Sequence, residues 1–313
     1  MKTIQLNNST LELPDCWEDL SFEQRVFTFS ILAQLFAGTV TPEVARLKML
    51  VEYTGYRPSW IQLIREALTK NTEQRETINF NLLRLSEELT FAFTTDSPPL
   101  EGQGLEESGM IIKPNNLFHR NPISYVVIDR RRYTGRRFEV DINCRTNISA
   151  REFSDCFDLL LAMQQTDSDV ERSGAIDQLC AILFPATDDY NANVISGHHY
   201  RMRRLYYPVK FGIVFWFSGI VRYYTEHPVY SILFSGKKQE ADDGKLHLGM
   251  NEITLTLKKE GYGDPATMNL NDYFDAQIRY LRETIHRALS SGAKEAEISS
   301  KTGISLDAIN KLT

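Results

Sequence analysis

Residues 209–234, VKFGIVFWFSGIVRYYTEHPVYSILF, constrain this chain more than any other stretch. From Phe211 to Val221 there is no charge, and eight of the eleven residues are Phe, Trp, Ile or Val. A helix that is apolar on every side must be buried on every side or lie in a membrane. The run is far shorter than the ~20 apolar residues a bilayer-spanning helix needs, and Lys210 and Arg222 bound it closely. It therefore predicts a buried core helix with Trp216 at its centre. Gly212, Ser218 and Gly219 would let neighbouring helices approach it.

Around that centre, 313 residues suffice for two modest domains or one large one. The formal net charge of −6 argues against a general nucleic-acid-coating role, although a small basic patch can sit on an acidic protein. Cys16, Cys144, Cys156 and Cys180 are scattered without C-x-x-C spacing, which excludes a disulfide framework and a zinc ribbon and predicts free thiols. The polar start MKTIQLNNSTLEL does not read as a signal peptide, so the expected location is the cytoplasm.

Along the chain, residues 3–13 alternate around Asn7-Asn8-Ser9 and predict a hairpin. Ser21 and Gln24 have capping-box form before a helix carrying Val26, Phe29, Leu32 and Phe36. Thr41-Pro42 opens a second helix that closes near Gly55; Pro58 and Trp60 suggest another, and residues 78–93 a fourth. Residues 96–116 are rich in Pro, Gly and Ser and read as a linker. YVVI (125–128) and FEVDI (138–142) then predict a second hairpin. Residues 188–199 read as a polar loop, 250–260 and 269–289 as helices.

The expected fold class is mainly α with two short β-hairpins, an α+β minority sheet. At a shift of 128 residues Asn147 to Glu152 falls on Asp19 to Gln24, and Phe157 on Phe29. This raises the expectation of an internally duplicated hairpin-plus-helices unit. The expected organisation is residues 1–95, a linker at 96–118, a second hairpin and helical core at 119–292, and a C-terminal hairpin at 293–313.

Three places carry candidate chemistry. Arg130, Arg131, Arg132, Arg136 and Arg137 surround Tyr133 and Gly135. They read either as a phosphate or acidic-partner contact, with Tyr133 able to stack on a base, or as a solvated hairpin tip whose charge blocks edge pairing. Arg201, Arg203 and Arg204 form a second basic cluster. If the two clusters meet, an anionic partner site gains weight. His198-His199 with Asp188 and Asp189 is the one group resembling metal ligands, but it lacks H-E-x-x-H spacing. Asp15, Glu18 and Asp19 beside Trp17 resemble a carbohydrate-type carboxylate cluster and are read as a solvated helix start. With no nucleophile elbow, Walker loop, dinucleotide fingerprint or kinase motif, the expectation is a non-enzymatic protein without cofactor or metal.

The segment EAEISSKTGISLDAINKL (295–312) resembles the helix-turn-helix of DNA-binding regulators. Gly303 would make the turn, and Ile298, Ile304, Ile309 and Leu312 would pack the two helices. Its reading helix offers only Asp307, Asn310 and Lys311, so a helical hairpin used for packing is the other reading. The start LELPDCWEDLSFEQ and the run KKEGYGDPATMNLNDYFDAQIRYLRE resemble tail and virion assembly proteins of tailed bacteriophages and prophages. That resemblance implies protein–protein interaction in assembly, or a chaperone role, with another structural protein or a second copy as partner and no membrane. A DNA-binding regulator is the alternative, and an enzyme of unrecognised type the third reading.

Overall fold

The computed structural model describes residues 1–6, 9–55, 85–96, 111–140, 144–187, 190, 192–234, 256–264, 267–302, 306 and 309–310. Strands β1 (Lys2–Leu6) and β2 (Ser9–Leu13) pair antiparallel, with Lys2 opposite Leu13. Helix α1 (Phe22–Phe36) starts at the expected capping box: the Gln24 amide donates to Ser21 Oγ at 3.2 Å, and the Ser21 amide to Gln24 Oε1 at 2.9 Å. Each bond satisfies an N–H that the first helical turn leaves without a partner. Helix α2 (Pro42–Thr54) is capped by Thr41 and closes at Gly55, whose φ of 61° is the left-handed conformation glycine adopts without strain.

The helix expected at 78–93 does not reach its end. Leu85 and Ser86 are helical, and β3 (Phe93–Asp96) then pairs antiparallel with β4 (Ile111–Pro114). The aromatic and β-branched run Phe91 to Thr95 favours extended backbone over another helical turn. Strand residues thus occupy both ends of the stretch read as a linker; residues 97–110 lie outside the described ones, as does the helix start at Pro58.

The second hairpin is also paired differently. β5 (Tyr125–Ile128) pairs with β6 (Arg131–Thr134), and β7 (Phe138–Glu139) with β8 (Arg145–Thr146), so FEVDI is not the partner of YVVI. The described residues therefore hold four two-stranded sheets where two hairpins were expected. The remaining elements are helical: α3 (Ala150–Gln165), α4 (Asp169–Leu183), α5 (Ala192–Met202), α6 (Tyr207–Glu226), a 3-10 turn at Tyr230–Phe234, α7 (Leu270–Ser290) and α8 (Glu295–Thr302). Helix α5 replaces the loop expected at 188–199. The described part of 250–260 is helical from Thr256 to Lys259.

No internal duplication is evident. α1 and α3 both begin with a capping box, but that is a common local answer to unpaired amides. The strands ahead of the two helices differ in number and pairing.

The chain divides into two compact units, Met1–Asn116 with Tyr206–Gly212, and Leu117–Leu205 with Ile213–Thr313. In the first, Trp17 stacks on Phe29 at 5.6 Å and meets Phe91 edge-on at 5.3 Å. Gly212 lies against Phe29 so closely that a Cβ would overlap the ring. In the second, Phe153 is the hub, with ring centroids of Phe217, Tyr224 and Phe274 at 5.6, 5.9 and 5.6 Å. Such pairs add ~0.5–1.5 kcal/mol each beyond area burial. A further cluster joins Ile232, Ile278, Ile285, Ile298 and Ile309, so α8 and the residues after it pack on α7.

The opening stretch is a buried helix as expected: in α6 Ile213, Trp216, Phe217, Ile220 and Tyr224 are each at most 1% exposed. Among the described residues no helix is long and apolar enough to cross a membrane. All four cysteines are free thiols.

Candidate functional site

The arginine-rich segment is not confined to a hairpin tip, which holds Arg130 alone of its residues. Its second to fifth residues form β6, with Arg131 opposite Ile128 and Thr134 opposite Tyr125. The connection is the two-residue loop Asp129-Arg130, with φ of 50° and 63°. Positive φ at both central residues marks the turn whose twist matches antiparallel strands. Asn, Asp and Gly suit it best, so Arg130 carries local strain.

The two basic clusters meet. Helix α5 ends beside β6, and the Arg201 guanidinium donates to the phenol oxygen of Tyr133 at 3.2 Å. Arg204, in the turn after α5, pairs with Asp129 of the hairpin loop at 2.6 Å. Between helix and strand lies an open cleft of about 1030 Å³. It is lined by all of Arg131 to Arg137, by Asn147, by Pro185, Ala186 and Thr187 after α4, and by Arg201. Among the described residues, five arginines line it and no carboxylate, histidine or cysteine does.

Three of the five are held, each in a different way. Arg136 is neutralised: its Nε and Nη2 both reach Oε1 of Glu152, at 3.0 and 2.6 Å. Glu152 is 1% exposed, and its other oxygen accepts from the amide and hydroxyl of Ser149 at the start of α3. A buried carboxylate is tolerated when its lone pairs are filled in this way. Arg132 lies over the Tyr125 ring at 3.8 Å, and Arg201 rests on a neutral phenol. Those contacts fix the guanidinium groups without cancelling their charge. Among the described residues no carboxylate pairs with Arg131, Arg132, Arg137 or Arg201. Arg203 is 3.9 Å from Asp177 and lies over Tyr200, outside the lining, and Arg130 is exposed at the loop.

Tyr133 is not free to stack on a base. It is 6% exposed, its ring lies 4.6 Å from that of His198, and its hydroxyl serves Arg201. Beneath it, His198 Nε2 is 2.8 Å from the carbonyl of Phe184, and burial holds the imidazole below its ordinary pKa. Gly135 is required here: a Cβ would come within 2.7 Å of the Phe184 ring and 2.8 Å of Asn121 Nδ2.

The other sequence candidates separate. His199 turns away from His198, with Nδ1 on the Ser196 carbonyl at 2.7 Å and its ring on Tyr200. Asp188 and Asp189 lie outside the described residues, and among those described no group of three or more His, Cys, Asp or Glu could hold a metal. Asp19 accepts from the Asp15 amide at 2.9 Å, and Trp17 is buried, so these residues build the helix start. In the helix-turn-helix-like segment Ile298 and Ile309 are buried on α7 and Asn310 is exposed. Gly303, Ile304 and Lys311 lie outside the described residues.

Sequence reasoning missed Asn147, the 185–187 wall, and the partners Glu152, Tyr125 and Asp129. Only Glu152 had a local signal, three residues after Ser149 in capping-box spacing. The rest reach the cleft from distant elements. Compared with protein-family models, with curated proteins and with solved structures, the chain matches none.

Proposed function

We propose that this chain is a non-enzymatic assembly protein of the phage tail or virion type, acting through protein–protein contact, with the arginine cleft as its contact site. One observation carries the reading. Two basic clusters far apart in a chain of net charge −6 converge on one cleft through Arg201 and Tyr133. Guanidinium groups held in place yet left charged make a surface complementary to an acidic partner. The described lining residues supply hydrogen-bond donors in number, a composition suited to holding an anionic partner. Arginine's planar fork matches carboxylates in a way lysine does not.

The DNA-reading alternative draws less support. Its reading helix offers only Asp307, Asn310 and Lys311, with no Arg or Gln to address base edges, and the packing of Ile298 and Ile309 on α7 is compatible with either reading. The test is co-expression of the intact chain with the proteins encoded by the genes on either side of its own, followed by size-exclusion chromatography with light scattering. A defined complex with one of them, lost in Arg132→Gln/Arg201→Gln, is the expected result. A monomer that joins none of them but shifts duplex DNA in a salt-sensitive way overturns the reading in favour of the regulator.

A further inference from the structure

The cleft follows an edge of β6, which fixes the form of what can fill it. Side chains of a strand point alternately to opposite faces. All four residues of β6, Arg131 to Thr134, nevertheless line the one cleft, so it runs along the strand's edge rather than over either face. In an antiparallel pair the backbone groups also alternate, towards the partner strand and away from it. The Gly135 amide donates to the Ser124 carbonyl at 2.9 Å, on the β5 side. The next amide, that of Arg136, donates to the Leu183 carbonyl at 2.8 Å, on the other side. By that alternation the amides and carbonyls of Arg132 and Thr134 also face away from β5. Among the described residues no strand pairs with that edge.

We propose that this edge takes an extended acidic peptide segment, added as a third strand beside β6, with its carboxylates paired to Arg131, Arg132, Arg137 and Arg201. The inference rests on the interaction-protein reading and names the chemistry of the partner. Main-chain bonds to Arg132 and Thr134 supply attachment, and the guanidinium groups select the occupant by charge. At about 1030 Å³ the cleft is at or above the top of the ~300–1,000 Å³ range of small-ligand pockets, which suits a segment better than a single anion. Single-stranded nucleic acid fits less well. Its sequence-independent binding needs open aromatic faces, and Tyr133, the one aromatic ring among the described residues of the lining, is covered by His198.

Fluorescence anisotropy on the intact chain tests this with a labelled oligo-glutamate and, separately, an oligothymidylate of equal charge. The peptide is expected to bind more tightly than the oligonucleotide, and Arg132→Gln/Arg201→Gln to weaken it by about tenfold or more. Thr134→Pro separates strand addition from simple charge attraction. It removes one outward amide and no charge, at an edge position where proline is tolerated, and is expected to weaken the peptide to a similar degree at unchanged melting temperature. If that variant does not fold, amide hydrogen exchange of the unmodified chain reads the same point, with protection of Arg132 and Thr134 on peptide addition. Equal or tighter oligonucleotide binding, indifference of the peptide to the arginine variant, or no protection of those amides overturns the proposal. Peptide binding without any complex among the co-expressed proteins would instead leave the edge site standing and remove the assembly role.

Discussion

Arg201 at the end of α5 donates to the hydroxyl of Tyr133 in β6 at 3.2 Å, across 68 residues of chain. This bond brings a surface guanidinium over the cleft. Tyr133→Phe keeps the ring on His198 and removes only the acceptor. The expected stability loss is about 1 kcal/mol or less, since one hydrogen bond with a solvent-accessible partner is lost. Acidic-peptide affinity should fall while the circular dichroism spectrum stays unchanged. A variant that binds as tightly as the parent would show that the bond does not position Arg201.

The Arg136–Glu152 pair calls for a larger effect. Glu152→Ala leaves the Arg136 guanidinium, itself largely buried, without its carboxylate and removes the acceptor that closes the capping box of α3. Breaking a buried pair on one side costs ~3–5 kcal/mol. Urea unfolding should show a loss of that size, and Arg136→Met in the same background should recover part of it. A loss within the range of a surface ion pair would contradict the buried role.

Gly212 and Phe29 give a packing test within the first unit. Gly212→Ala raises helix propensity but places a methyl group in the Phe29 ring. Overpacking of this kind costs ~1–3 kcal/mol, so a net loss in thermal stability is expected, relieved by Phe29→Leu on the same background.

Trp216 is 1% exposed in the middle of α6. Trp216→Asp puts an unpaired carboxylate there, at a cost of several kcal/mol on top of the lost packing. The expected outcome is a chain without a cooperative melting transition. A soluble variant with the parent's melting temperature would refute the central place of this helix.

His198 predicts an acid-side stability slope. Burial, as the main cause, holds its imidazole below the ordinary value of 6.5; Arg201 adds to the lowering, and the bond to the Phe184 carbonyl opposes it. The unfolded chain therefore takes up the proton first as pH falls. The contribution of neutral His198 is full above about pH 6.5, declines below it, and levels off once the folded pKa is passed. His227, lowered by burial as well, acts in the same sense. Chemical denaturation of His198→Gln from pH 7.5 to 5 should show a shallower slope than the parent. An unchanged slope would assign the effect to other groups.

How much of this was legible depends on the range over which each residue is determined. The capping box at Ser21 and the Thr41-Pro42 helix start are set within four residues, and both formed where the sequence put them; the helix expected at 269–289 formed as α7. The buried helix at Trp216 was legible because an uncharged run with charges at both ends has one inexpensive place to go. Strand pairing was not. FEVDI and the arginine segment both suit a partner for YVVI in length and spacing, and the choice fell to the two-residue loop at Asp129-Arg130. A segment with five arginines in eight residues is better tolerated at a sheet edge than in a central strand, and only the pairing could reveal that it is an edge.

By itself, then, the sequence determined α1, α2 and α7, the buried apolar helix, and the identity of both arginine clusters, because these follow from local backbone chemistry and hydrophobic patterning; it did not determine α5, which it read as a loop. Tertiary structure alone decided that Arg201 reaches Tyr133, that Glu152 cancels one arginine while Tyr125 merely holds another, and that β6 turns its free edge to the cleft. Those outcomes depend on which distant groups come within about 3 Å of each other in a low-dielectric setting. A guanidinium on a neutral phenol keeps its charge at the surface, whereas one on a buried carboxylate becomes part of the core.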